Sequence, residues 1–178
     1  NDPKVYKLWQ DGNSVGIFQF ESQGMTNFMK ELKPDCLEDI IAGVSLYRPG
    51  PMDQIPRYIA NKKDPEHAVY THPALKPILK VTYGCMVYQE QVMQIVRNLA
   101  GYSLGRADLV RRAMGKKKLD VMAREREIFI NGQLDEDGNI VVPGCVRNGI
   151  DAESANRIFD EMAEFAKYAF NKSCLLYT

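Results

Sequence analysis

The sequence predicts a mainly α-helical single domain carrying one small β-hairpin insertion. Three observations point there. Apolar residues recur at three- and four-residue spacing along most of the chain, as in helices with one buried face. Capping residues, glycines and prolines punctuate those segments at helix length. Only one stretch, Asp135-Glu-Asp-Gly-Asn followed by Ile140-Val-Val, joins turn chemistry to a β-rich run. The chain has 178 residues, enough to bury a substantial core, and its 45% hydrophobic and 26% charged content is that of an ordinary globular protein.

Taken in order, residues 1–12 form a short helix around Val5, Tyr6, Leu8 and Trp9, closed by Asp11-Gly12. Val15 to Phe20 alternates loosely and reads as a short strand or extended segment. Ser22 is the N-cap of a helix from Gln23 to about Leu32, with Met25, Phe28, Met29 and Leu32 on one face. Lys33-Pro34-Asp35 breaks it, and a second helix runs from Cys36 or Leu37 to Leu46. Tyr47-Arg-Pro-Gly-Pro-Met is then a rigid non-helical turn, because two prolines fix the backbone. Such a turn fits a connector as well as a loop that holds Tyr47 and Arg48 for binding.

A short helix spans Ile55 to Lys63, and 64–77 is a loop punctuated by prolines. Val81 to Val87 reads as extended, leading into a strong helix to Ala100 with Val92, Ile95, Val96 and Leu99 inward. Glu90 sits in the first turn, where a carboxylate suits the helix dipole. Gly101 ends that helix and Ser103 caps the next. Leu119 to Ile130 is helical, with Leu119, Met122, Ala123 and Ile130 inward and Arg124, Glu125, Arg126 and Glu127 solvated. The Asp-x-Asp of the hairpin lacks the glycine and glutamate of a calcium loop and reads as a turn. A last helix covers Asp151 to Tyr168.

The charge distribution singles out one place. Basic and acidic side chains balance at 23 each. Yet Arg106, Arg111, Arg112, Lys116, Lys117 and Lys118 crowd one helix end against the single carboxylate Asp108. Leu109 with Ala113, and Val110 with Met114, give that helix an apolar side, and Asp108 stands four residues before Arg112 for an ion pair. Guanidinium forks match phosphate oxygens two at a time, and lysines add point charge. The run alone fits a solvated helix end or a polyphosphate site.

The remaining signals set bounds. The four cysteines (Cys36, Cys85, Cys145, Cys174) form no Cys-x-x-Cys pair, which suits free thiols in a reducing compartment rather than a zinc site. His67 and His72 lie five apart in a proline-bearing loop, not at metal-ligand spacing. No residues are expected to bind metal. No apolar run reaches membrane-spanning length and the N-terminus has no signal-peptide pattern, so the expected location is a bacterial cytoplasm.

Five motifs then appear together: Phe18-Gln-Phe-Glu-Ser, Tyr47-Arg-Pro-Gly-Pro-Met, Tyr88-Gln-Glu-Gln-Val-Met, Arg111-Arg-Ala-Met-Gly-Lys-Lys-Lys and Phe170-Asn-Lys-Ser. In this order the chain resembles the fingers region of the bacterial DNA polymerase III alpha subunit, a C-family replicative polymerase, over residues 1 to about 173. The resemblance implies one fingers domain over 1–178 that binds the incoming deoxynucleotide (dNTP) and the DNA template–primer. It implies that Arg111 and Arg112 grip the triphosphate, with Lys116, Asn171, Lys172 and Ser173 around the nucleotide. Tyr47, Arg48, Lys117 and Lys118 would contact DNA or the nascent pair. It implies Mg2+ in the whole enzyme, held by palm carboxylates outside this chain, and further replicase subunits as partners. By itself the fragment is expected to be inactive.

The pattern departs at the end. Where the family continues with His-Ala after Asn-Lys-Ser, residues 174–178 are Cys-Leu-Leu-Tyr-Thr, so sugar discrimination is not carried over to Cys174. A cloning boundary, a frameshift and the start of an intein all remain open for this tail. The competing readings are a standalone helical nucleic-acid-binding module without catalysis and a plain helical scaffold.

Overall fold

Local chemistry places the helix ends. In the computed structural model, which describes residues 2–116, 118–166 and 169–172, Asp2 accepts a hydrogen bond from the Lys4 amide and α1 (Pro3–Asp11) follows, ending at Gly12 in the left-handed region. Ser22 accepts from the Met25 amide and opens α2 (Gln23–Leu32), which buries Met25, Phe28, Met29 and Leu32. Then come α3 (Leu37–Leu46), α4 (Ile55–Lys63) and the single turn α5 (Lys76–Leu79). Gln89–Ala100 forms α6 and Leu104–Gly115 forms α7, the latter capped by Ser103. Next are α8 (Leu119–Asn131), strands β1 (Gln133–Leu134) and β2 (Ile140–Val142), α9 (Gly144–Arg147) and α10 (Ala152–Phe165). The mainly helical class holds, with one two-stranded antiparallel sheet among the described residues. The expected end of the last helix at Tyr168 lies outside the described residues.

Buried side chains gather in two clusters. One lies under α2, α3 and α4 and includes Phe28, Leu46 and Tyr58. The other lies under α6, α7, α8 and α10 and includes Ile95, Val110, Phe129 and Ile158. The segment before α6 links the two: Cys85 and Val87 join the first cluster and Met86 the second, as alternation along an extended backbone requires. Gln91 fixes this segment, accepting from the amides of Val87 (2.8 Å) and Tyr88 (3.0 Å) and donating to Thr82. Each fully buried aliphatic or aromatic side chain contributes about 1.5–3 kcal/mol relative to exposure.

The structure corrects several expectations. Val15 to Phe20 is a chain of turns rather than a strand. Amides of Ile17 and Phe20 donate back to Ser14 and Ile17, Gly16 and Gln19 take positive φ, and Ser14 Oγ donates to Phe20 O at 2.7 Å. A strand needs a partner, and here the backbone satisfies itself locally. Val81 to Val87 is not one extended segment, because Lys80–Thr82 is a 3-10 turn followed by two residues at positive φ, Tyr83 and Gly84. Leu119 is 77% exposed and Leu109 66%. The inner face of α7 is Ala107, Val110, Ala113 and Met114; on α8 the expected Ile130 is buried and Met122 packs against the core, while Ile128 and Phe129 are buried where Leu119 was expected to be.

The polar face expected on α8 is also structural. Glu125 accepts from both the Arg106 guanidinium (3.1 Å) and the Tyr102 hydroxyl (3.0 Å), and Arg126 covers the Phe159 ring at 4.8 Å. The hairpin behaves as expected: Asp135 accepts from the amides of Asp137 and Asn139 and closes the turn. No helix among the described residues is long and apolar enough to cross a membrane.

The α6–α7 connection is the tightest constraint near the basic run. Gly101 has φ +77°, and a Cβ there would lie 2.7 Å from Cδ of Pro143. Gly101→Ala must therefore strain the backbone and displace a stiff ring. The expected loss is about 1–3 kcal/mol, read as a lower urea midpoint for the 178-residue chain. An unchanged midpoint would contradict the role given to this turn.

Candidate nucleotide-phosphate site

The short turn through Gly101 and Tyr102 reverses the chain, so the end of α7 returns beside the start of α6. Val110 and Met114 on α7 share a core cluster with Val92, Ile95, Val96 and Leu99 on α6. That packing leaves Arg111 at the seam. Its Nη1 donates to Gln89 Oε1 at 2.8 Å, across 22 residues of sequence. Its Nε and Nη2 donate to one oxygen of Asp108 at 3.1 and 2.7 Å. The other oxygen of Asp108 lies 2.8 Å from Arg112 Nε. One carboxylate thus holds both members of the arginine pair, more than the Asp108–Arg112 pair expected from spacing. The Arg111 hydrogen bond, helped by both positive charges, holds the Asp108 carboxyl below its usual range. The Arg111 side chain is 22% exposed and that of Arg112 62%.

A strap crosses the start of α6. The Gln89 amide donates to Phe170 O and the Gln89 side chain donates to Ala169 O, both at 2.8 Å. Tyr88 pairs with Phe170 in a parallel bridge. The Lys172 amide donates to Glu90 at 3.2 Å, so the helix-start carboxylate also ties down the strap. Lys172 Nζ lies 2.6 Å from Glu38, at the start of α3, and 5.1 Å from the centre of the Tyr88 ring. The Arg48 guanidinium stands 5.0 Å over the Phe170 ring. Residues far apart in sequence therefore meet here: Arg48, Gln89, Arg111 and the 169–172 strap.

Between α7 and this strap lies a cavity of about 170 Å3, lined by Gln89, Arg111, Arg112, Gly115, Lys116 and Ala169, among others. Three of the expected phosphate ligands thus face one space. Asn171 and Lys172 are on the strap itself. Lys118 is exposed at the start of α8, outside the lining. Lys117 and Ser173, also expected here, lie outside the described residues, as does the 174–178 tail. Tyr47 is not among the residues lining this space; its ring stacks on Phe28 at 5.9 Å and its hydroxyl occupies the space a side chain at Gly24 would fill.

Two further features are chemically unlike this site. A cavity of about 390 Å3 has Asp53, Glu161 and Glu164 against one guanidinium, Arg57. Its charge disfavours an anion. Asp35, Cys36 and Asp39 bring ligand atoms within 4.8 Å of one another. Lys62 already lies there, 2.8 Å from Asp39 and 3.4 Å from Asp35. Magnesium prefers oxygen ligands in near-octahedral geometry, so a thiol beside an ammonium does not suit it.

The sequence alone gives Gln89 no role, although it stands in the Tyr88-Gln-Glu-Gln motif; it gives Asp108 only a helix ion pair with Arg112, and it does not single out Glu38. The polar type of Gln89 at the first helical position was the available signal. Its partners are 22 and 80 residues away.

A family model described as the finger domain of the bacterial DNA polymerase III alpha subunit matches residues 1–137. Proteins named DNA polymerase III subunit alpha are similar: 51% identical in Chlamydia muridarum, 51% in Xylella fastidiosa and 49% in Thermus aquaticus. Each alignment covers 97% of this chain and 13% or 14% of the relative, so the chain spans only a small part of the curated relatives it matches. The chain belongs to the finger-domain family of the bacterial DNA polymerase III alpha subunit.

Proposed function

We propose that residues 1–178 are the fingers domain of a DNA-directed DNA polymerase in the bacterial cytoplasm, and that Arg111 and Arg112 grip the triphosphate of the incoming dNTP. The supporting observation is the small cavity shared by Arg111, Arg112 and Lys116. Its volume of about 170 Å3 is below the roughly 300 Å3 at which pockets for organic ligands begin. A phosphate tail fits such a space better than a nucleoside does.

Its charge agrees: three cations line it, and Asp108 is the counter-charge to the arginine pair. Guanidiniums already fixed by Asp108 and Gln89 need little reorganisation as charge grows on the departing pyrophosphate, which is how preorganised donors lower a barrier. Lys172 and Asn171 on the strap complete the nucleotide surroundings, with Ser173 following them. Arg48 over Phe170 offers a planar cation to the nascent pair, and Tyr47, Lys117 and Lys118 supply further contacts to the template–primer. In this reading Mg2+ is held by carboxylates outside this chain. Other replicase subunits complete the assembly.

In the intact polymerase, Arg111→Ala and Arg112→Ala should each slow nucleotide incorporation by about 10²–10³-fold, the cost of one preorganised donor. Near-normal incorporation kinetics in both variants would contradict the assignment. The purified 178-residue chain with magnesium should bind template–primer with an affinity that falls steeply as salt rises, without extending the primer. Extension would show that it carries its own chemistry.

Asp108 sets the acid limit of the arrangement. Its folded pKa is depressed, so its stabilising contribution is fully present above the unfolded value near 3.9 and is lost as pH falls through the folded value. The stability difference between the wild-type chain and Asp108→Asn should therefore be constant from pH 8 to 5 and shrink below about pH 4. A difference that changes between pH 6 and 8 would mean another group governs the pair.

A further inference from the structure

We propose that Gln89 is a positioning residue that makes phosphate capture by Arg111 and closure of the 169–172 strap one event. The inference rests on the nucleotide reading above and adds to it a coupling between two separate parts of the site. Both ends of the Gln89 carboxamide are committed, and to different elements. Oε1 accepts from Arg111 on α7, and Nε2 donates to Ala169 O on the strap, each at 2.8 Å. Its backbone amide donates to the next strap carbonyl, Phe170 O, also at 2.8 Å. This amide is one of the donors that a helix start leaves unpaired.

Only a side chain with an acceptor and a donor at its tip can span these partners. Glutamate would keep the acceptor for Arg111 but face the Ala169 carbonyl with a second acceptor. Methionine, of similar length, has no donor and only a weak sulfur acceptor. The span matters because of what the strap carries. Phe170 is the platform under Arg48, and Lys172 reaches Glu38 and the Tyr88 ring. Gln89 and Arg111 form one side of the 170 Å3 cavity, and Ala166 and Ala169 also line it. An anion that fixes Arg111 therefore fixes the acceptor end of Gln89, and through the same amide plane its donor end. The strap, Lys172 and the Arg48 platform are then held in register with the phosphates.

The test is a double-mutant cycle in the intact polymerase on a dideoxy-terminated primer–template, measuring the equilibrium Kd of the matching dNTP. Gln89→Met should raise Kd by about tenfold, the scale of one hydrogen bond to a charged group. Arg111→Ala should raise it further, and the double variant should match Arg111→Ala alone, since Gln89 acts through that guanidinium. Hydrogen exchange gives a second readout. Saturating dNTP should protect the Gln89 and Lys172 amides in the wild type. It should fail to do so in Gln89→Met and in Gln89→Glu, which keeps the Arg111 acceptor.

A purely architectural glutamine would lower thermal stability and leave these nucleotide-dependent readouts unchanged. Wild-type affinity in Gln89→Met overturns the proposal, as does full nucleotide protection in Gln89→Glu. A Gln89→Met penalty that persists undiminished in the Arg111→Ala background removes the coupling alone. Wild-type affinity in Arg111→Ala removes the nucleotide reading, and this proposal with it.

Discussion

A single carboxylate holding two guanidiniums organises this end of the molecule. Adjacent residues on a helix point about 100° apart, so Arg111 and Arg112 converge only if something draws them together. Asp108, one turn back, meets Arg111 with one oxygen and Arg112 with the other. On the proposed reading the arrangement has an electrostatic cost, because a carboxylate beside a bound phosphate opposes it. It is offset by order: long cationic side chains that would otherwise sample many rotamers are already aimed. Arg111 is the more enclosed member of the pair and Arg112 the more exposed, so the first defines geometry and the second adds reach.

That pairing depends on packing at a distance from it. The Gly101 turn brings α7 back alongside α6, and Val110 and Met114 lock the pair in the larger core cluster. The segment before α6 alternates between the two clusters, so the start of α6 is fixed by both. Gln89 and Glu90 stand at that start and receive the strap. The same logic of paired counter-charges recurs at Lys172, held by Glu38. Of the basic run, Arg106 serves the core instead, closing on Glu125 and Tyr102.

Legibility in the sequence follows the range of the interactions. The helices Gln23–Leu32, Ile55–Lys63, Gln89–Ala100 and Leu104–Gly115 were readable residue by residue, because Ser22, Gly101 and Ser103 act within a few positions of themselves. The arginine pair was readable as a charge cluster, and the motifs named the family. What stayed hidden is non-local. Whether Val15 to Phe20 pairs as a strand depends on a partner strand, and among the described residues none pairs with it. Which stripe of α8 turns inward depends on α9 and α10. Gln89 acquires its role from residues 22 and 80 positions away, and Lys172 from one 134 away. Side-chain type can suggest such contacts, but only the fold selects them.

In the proposed reading, the fixed guanidiniums of Arg111 and Arg112 receive a nucleotide's phosphate tail. The decisive measurement is a structure of the intact polymerase with template–primer and a non-hydrolysable dNTP. β- and γ-phosphate oxygens should lie about 2.7–2.9 Å from both guanidiniums, as charge-assisted bonds require, with Gln89 still joined to Ala169. A triphosphate bound elsewhere, with the cavity beside Ala169 unfilled, would refute it.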